Sequence, residues 1–484
     1  MQQGSATIQH TWHACRSLYL AVPLLVAVWG CRAARPSVPG PEENAAHPVS
    51  LTLQGGTLIN PDSPPITDAT VVVQDGRVSC AGPAGKCRPP AGSRLVDTRA
   101  TYIGPGLIDA HVHYSQTGWV DGRPDAVDVR FQYPYDSVMR VLATRPDRFN
   151  RAYLCGGVTT VFDVGGYPWT IDIARRSRNS TTSPRVLATG PLMTTIQVDP
   201  QMAGQFVFMK DDSTVRAAVR THHAAGADAV KVWYVEVPDS LRPYMKSMLM
   251  VVANEAHKLG LRLVVHALEL DRAKEALEAG AAVLVHDVFT GAIDSEFVAA
   301  AKRNRTIVIP TLSVLEGYTD VFLGRSPALR YPLDCVDPVT RRKLDTVLPD
   351  TLRAPGRAFW DGPGAARLRT TGADNLQRLY AAGLPIAVGT DAGNPGTAPG
   401  PSIYRELEAM EQAGMPARAV FAAATIVAAR AMGLDSEIGS VEPGKRADLV
   451  IFAADPTADI QNARQVRYVV RNGALYSKDD LLPR

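Results

Sequence analysis

The chain has 484 residues, 51 Lys and Arg against 48 Asp and Glu for a formal charge of +3, and 46% apolar residues, enough for one large core plus a smaller companion domain. A balanced charge with no basic stripe interleaved with aromatics excludes a nucleic-acid partner, and the Arg-rich stretch ending at Ser180 reads as a solvated helix end. Six cysteines, at positions 15, 31, 80, 87, 155 and 335, lack Cys-x-x-Cys spacing; this argues against a structural zinc knuckle, and Cys80 and Cys87 are close enough to bridge a small loop.

In chain order, Arg16 precedes the apolar run LYLAVPLLVAVWG, followed at once by Cys31. The run is short for a membrane span and reads as a signal peptide over residues 1–31. Val28-Trp29-Gly30-Cys31 resembles the bacterial lipoprotein cleavage box, in which Cys31 would be lipidated and become the first mature residue. Simple secretion or an uncleaved segment are the alternatives. Arg32 is not the aspartate that retains such proteins at the inner membrane, so by resemblance the address is the outer membrane, facing the periplasm. A Pro-rich linker occupies 32–49. From 50 to 104 short alternating segments separated by Gly, Pro and Asp predict hairpin strands.

From residue 105 to 436 the pattern changes to strands alternating with helices: GLIDAHVH, VTTVFDV, RVLATGP, DAVKVW, RLVVHA, AVLVHD, TIVIPTL and IAVGTD. Eight strands in alternation predict a (β/α)₈ TIM barrel, an α/β fold. The connection from Glu316 to Asn375 is long, charged and Pro-rich; on that barrel face such loops shape substrate access, although an excursion on the outside fits equally, and Tyr331 and Trp360 within it have no assigned role. From 437 to 484 the chain returns to strands.

Five of the barrel segments end in a metal-ligand residue type: His111 and His113, Lys231, His266, His286 and Asp391. The C-terminal ends of parallel strands converge on one face, so these residues can meet there. His111 and His113 lie two apart on a strand, so both imidazoles project from the same side. His266 and His286 are one strand-to-strand unit apart, with the amphipathic DRAKEALEAG between them reading as a helix that stops at Gly280. Asp391 opens a Gly/Pro-rich loop suited to a carboxylate that ligates metal and handles protons. The remaining histidines (His10, His13, His47, His222, His223 and His257) read as solvated or packing residues.

On these residues the chain resembles the metal-dependent amidohydrolase superfamily, in its imidazolonepropionase-like and prolidase-like branch. The likeness runs from about Leu51 to Tyr476 and includes GPGLIDAHVH, the VVHALE to VLVHD spacing, GTDAG and EPGKRADLVIF. It implies that the two chain ends build a small discontinuous β-sandwich from 50–104 and 437–484. It also implies two divalent ions, zinc being the expected metal: His111, His113 and Asp391 on one, His266 and His286 on the other, with Lys231 carboxylated so that its carbamate bridges both. An unmodified ammonium there would be repelled and has no lone pair to give. The WYVEVPDSLRP segment after Lys231 departs from the Gly-rich segment of many prolidase-like members.

The expected reaction is hydrolysis of an amide, in a dipeptide or N-acyl amino acid, by a metal-bridging hydroxide with Asp391 as proton shuttle and Tyr234 touching the carbonyl oxygen or the substrate carboxylate. A packing role for Tyr234 is the alternative. Rival readings are a lactonase or phosphotriesterase on the same metals, or an idle envelope binding protein; imidazolonepropionase itself is disfavoured by the leader and the bridging lysine. The sequence leaves oligomeric state open.

Overall fold

A computed structural model of the chain describes residues 50–483. The signal peptide, Cys31 and the linker lie outside these residues. Both ends of the described chain contribute to one eight-stranded sheet in the order 474–477, 466–471, 449–452, 102–105, 50–60, 63–74 and 77–83, with 94–97 also pairing onto 50–60. Alternation makes this sheet: Leu51 and Leu53, Val71 and Val73, and Leu449 and Ile451 each point to one side and are buried together, as a period of two requires. Strand Ser50–Asn60 takes two parallel partners along one edge, 94–97 beside 51–54 and 102–105 beside 57–58. Gly55 sits at the changeover with φ +87°, a conformation a side chain would strain. Cys80 and Cys87 form the disulfide that their spacing allowed.

The segments expected as barrel strands follow in order and pair in parallel. Leu107–Val112, Val158–Asp163 and Arg185–Ala188 make a three-stranded sheet, and a six-stranded sheet runs 206–208, 192–194, 229–233, 262–266, 283–285 and 307–309. The Asp228 amide donates to the Ala188 carbonyl. Single parallel bridges join Val308 to Ile386 and Val112 to Ala392. Burial on both faces explains why the runs are continuously apolar, as in Val283–Val285 and Ile307–Ile309, with helices between them covering the outside.

Two expectations change in detail. RVLATGP forms a strand only over Arg185–Ala188, and a second short strand, Leu192–Thr194, follows it, with Gly190 turning left-handed between them. IAVGTD makes isolated bridges instead of a ladder. Its backbone is pressed against its neighbours: a Cβ on Gly389 would lie 2.4 Å from Ile309 Cγ2 and 2.7 Å from His111 Cβ, and Asp391 then turns left-handed at φ +58°.

The long connection folds into helices Leu312–Leu323, Pro338–Leu344, Asp350–Trp360 and Pro363–Ala381. A second disulfide, absent from the sequence reading, ties it down: Cys155, ending helix Asp147–Cys155, bonds Cys335 across 180 residues. Spacing alone gave no hint of a bridge between residues so far apart.

Candidate active site

His111, His113, Lys231, His266, His286 and Asp391 all line one cavity of about 450 Å³. His111 Nε2 lies 3.3 Å from His113 Nε2, and Asp391 Oδ1 lies 3.3 and 3.0 Å from those two nitrogens. The His286 ring is 5.0 Å from that of His111 and 4.5 Å from that of His266, centroid to centroid. Lys231 is 1% exposed at the centre of its strand.

Neighbouring groups hold these side chains in place. His113 Nδ1 donates to the Gly165 carbonyl at 2.7 Å, and Asp163 accepts from the Gly165 and Tyr114 amides. Asp109 accepts from the Thr390 amide and hydroxyl and from the His111 amide, tying the His-x-His strand to the one that ends in Asp391. His286 Nδ1 is hydrogen-bonded to Thr311 Oγ1 at 2.6 Å. Such partners fix which ring nitrogen faces inward.

The electrostatics suit cation ligation. Burial pushes His111 and His266 well below the usual imidazole range and His286 down to about 4, leaving lone pairs at neutral pH. Burial would raise Asp391, but the surrounding imidazoles of His111, His113 and His286 hold it well below the ordinary carboxylate range. Burial also lowers Lys231 to about 7. With its Nδ1 donating to a carbonyl, His113 turns its Nε2 toward Asp391 Oδ1, 3.0 Å away. Ligands about 2.1 Å from one ion sit about 3.0–3.4 Å apart at ordinary angles, so His111, His113 and Asp391 form a fitting metal site.

Tyr234 requires a correction. Its side chain is fully buried away from the cavity and its hydroxyl donates to Glu275 at 2.5 Å, beside Arg242. Alternation explains this: Lys231 and Trp233 share the cavity face of their strand, so the next residue points outward. The sequence reading also missed polar neighbours on the cavity wall. Asn394 donates to Asp391 Oδ1 at 2.7 Å and accepts from Tyr318 and Arg123. Asn394 lies only three residues beyond Asp391 in an obvious loop, whereas Arg123 sits in a stretch with no motif.

The model of the Amidohydrolase family matches residues 102–475. This chain belongs to the amidohydrolase family. It is a hydrolase acting on carbon–nitrogen bonds. The amidohydrolase is 26% identical over 425 residues to an imidazolonepropionase of Rhizorhabdus wittichii, covering 82% of this chain and 90% of that protein. A stretch of 108 residues is 43% identical to the imidazolonepropionase of Geobacillus kaustophilus, covering 22% of this chain and 24% of that one. A solved Xaa-Pro dipeptidase with bound methionine superposes with TM-score 0.69 at 23% identity, over 88% of this chain and all of that one, a likeness of fold.

Proposed function

We propose that this amidohydrolase cleaves an amide bond in a dipeptide or N-acyl amino acid, on a (β/α)₈ barrel of residues 105–436 flanked by a small β domain from 50–104 and 437–484. The observation carrying the reading is the convergence of His111, His113 and Asp391 in a cavity that also receives Lys231, His266 and His286. His111, His113 and Asp391 would hold one divalent ion and His266 and His286 a second, zinc in each case, with Lys231 carboxylated between them. A buried amine lowered to about 7 is in part unprotonated at neutral pH and can add to carbon dioxide, which an ammonium cannot. When bound, the ions would acidify water and polarise the scissile carbonyl.

The chain's own groups supply the rest. Asp391 accepts the proton of the attacking water and returns it to the leaving nitrogen. Asn394, donating to Asp391 Oδ1, holds the carboxylate in position while it does so. Apolar side chains lining the cavity, among them Leu268, Phe289 and Leu315, exclude bulk water.

The lipoprotein reading at Cys31 and the cell-envelope address belong to this proposal. Two disulfides support an oxidising compartment. Labelling cells with a fatty-acid analogue tests it: a label lost in Cys31→Ala is expected, and an unchanged label rejects it. The activity is tested by metal analysis and a screen of dipeptides, N-acyl amino acids, lactones and phosphotriesters. Turnover confined to lactones or phosphotriesters, or none at all with metals bound, overturns the amide reading.

A further inference from the structure

Two neighbouring parallel strands end in the same way. Val283–Val285 and Ile307–Ile309 pair in register, the Asp287 amide donates to the Pro310 carbonyl just beyond them, and His286 and Thr311 both turn left-handed, at φ +70° and +50°. A left-handed backbone is strained for a β-branched residue and persists only where its surroundings fix it. Thr311 is also the residue before helix Leu312–Leu323, the position at which a threonine hydroxyl ordinarily accepts from the helix's first free amides. It makes no such bond here. Its hydroxyl lies 2.6 Å from His286 Nδ1 instead, and the amides of Leu312 and Ser313 donate to the two carboxyl oxygens of Glu406, at 2.9 and 2.7 Å, from helix Ser402–Gln412. Thr311 and Glu406 are both fully buried.

We propose that Thr311 and Glu406 are positioning residues acting in series on His286: Glu406 caps the helix in Thr311's place, which frees the Thr311 hydroxyl to hold the imidazole as a ligand of the second ion. The inference rests on the two-ion reading above. When Nε2 binds an ion, Nδ1 carries the ring proton and Thr311 Oγ1 accepts it, so the hydroxyl fixes both the ring's orientation and the nitrogen left for the metal. If Thr311 capped the helix itself, His286 would lose that partner. Without Glu406, two buried amides would compete for the hydroxyl.

The link joins the ligand cluster to the cavity wall, because the same helix places Val314, Leu315 and Tyr318 on the cavity. It uses only the helix's first turn, so those cavity-facing side chains can vary without breaking it. Glu406 lies outside the cavity lining, and its influence on the ion has to pass through the turn that begins at Thr311.

The test is stepwise zinc titration of metal-free protein against a chromophoric chelator, which reads the affinity of each ion separately, with thermal unfolding of the same samples as a check on folding. Thr311→Val keeps the branched shape and removes the hydroxyl. The second ion should then bind about 10–100-fold more weakly, the usual loss when a ligand's supporting hydrogen bond is removed, with the first ion near its wild-type affinity. Thr311→Ser should restore most of the second ion's affinity. Glu406→Gln should weaken the second ion by about 2–10-fold. The double variant Thr311→Val with Glu406→Gln should be no weaker than Thr311→Val alone, because a residue acting through Thr311 then has nothing left to act on. If Thr311→Val retains wild-type affinity for the second ion, or weakens both ions equally, the assignment is wrong while the two-ion reading stands. Additive losses in the double variant overturn the serial arrangement. If wild type binds only one ion, the two-ion reading fails and this inference with it. Should Thr311→Val not fold, Glu406→Gln decides: a selective loss of the second ion supports the series, and an unchanged affinity overturns it.

Discussion

The floor and the wall of the cavity are built in opposite ways. The floor consists of side chains on and just beyond the parallel strands, braced by Asp109, Asp163 and Thr311. The wall includes Val314, Leu315, Tyr318, Phe359 and Trp360 from helices 312–323 and 350–360, with Phe359 47% exposed. Strand ends set positions to fractions of an ångström, as metal ligands require. Helices laid across them set only shape and polarity, which a chain can change without disturbing the reaction. Floor changes should therefore abolish chemistry, and wall changes should redistribute substrates.

The largest effects are expected on the floor. Lys231→Ala should lose metal and activity together, with partial recovery of both on adding a short carboxylic acid; retention of full metal and activity overturns the bridging role. Asp391→Asn keeps an oxygen ligand but carries no proton, so kcat should fall by about 10²–10⁴ while much of the metal stays, as read by metal analysis on the assayed sample. Near-normal turnover would remove Asp391 from proton transfer.

A step smaller is the tether between the two regions. The Cys155–Cys335 bridge closes a loop of 180 residues, and replacing both cysteines with alanine should cost about 2–5 kcal/mol of stability in denaturant titration. The same change at Cys80 and Cys87, separated by 7, should cost less, because a short loop has less freedom to lose. Equal costs would mean that strain or packing, and not chain restriction, dominates.

The third expectation is a pH dependence of the metal-free protein in carbonate-free buffer. Lys231 is lowered from 10.5 to about 7 by burial, so between those values the unfolded chain binds more protons than the folded one, and stability rises with pH by up to about 1.4 kcal/mol per unit. Below about 7 the folded lysine must charge while buried, and that gain is absent. The buried Asp109 and Glu406, each raised to about 7, act below this window with the opposite sign. Lys231→Met should flatten the rise between pH 7 and 10; an unchanged slope assigns it elsewhere.

The smallest effect belongs to the wall. Phe359→Ala, at a half-exposed position, should lower kcat/KM for aromatic substrates by about 2–10-fold and leave small aliphatic ones and metal content near wild type. A uniform loss across substrates would show that the wall supports the floor.

This division also explains what could be read from the sequence. His111, His113, His266, His286 and Asp391 stand out because each falls in or just past the end of an apolar strand-like run. Lys231 is visible as a charge inside an apolar run. Tyr318 and Trp360 follow no such pattern: their place on the cavity depends on how helices from a long connection lie over the strand ends, which distant packing determines. Tyr234 shows the cost of judging by proximity in sequence, since one step along a strand reverses the side chain. Cys155 and Cys335 are brought together only by the completed fold.

Strand Tyr102–Pro105 pairs on one edge with residues near Leu58 and on the other with Leu449–Phe452. During synthesis one edge of that strand therefore waits for more than three hundred further residues before its partner exists, and the sheet is completed last. A chain cut after the helices of the catalytic region would retain every candidate metal ligand yet expose an open strand edge, the kind of surface on which chains join one another. The closing strands thus act as a seal on assembly: a nascent or clipped molecule stays prone to association until the far end of its own chain arrives.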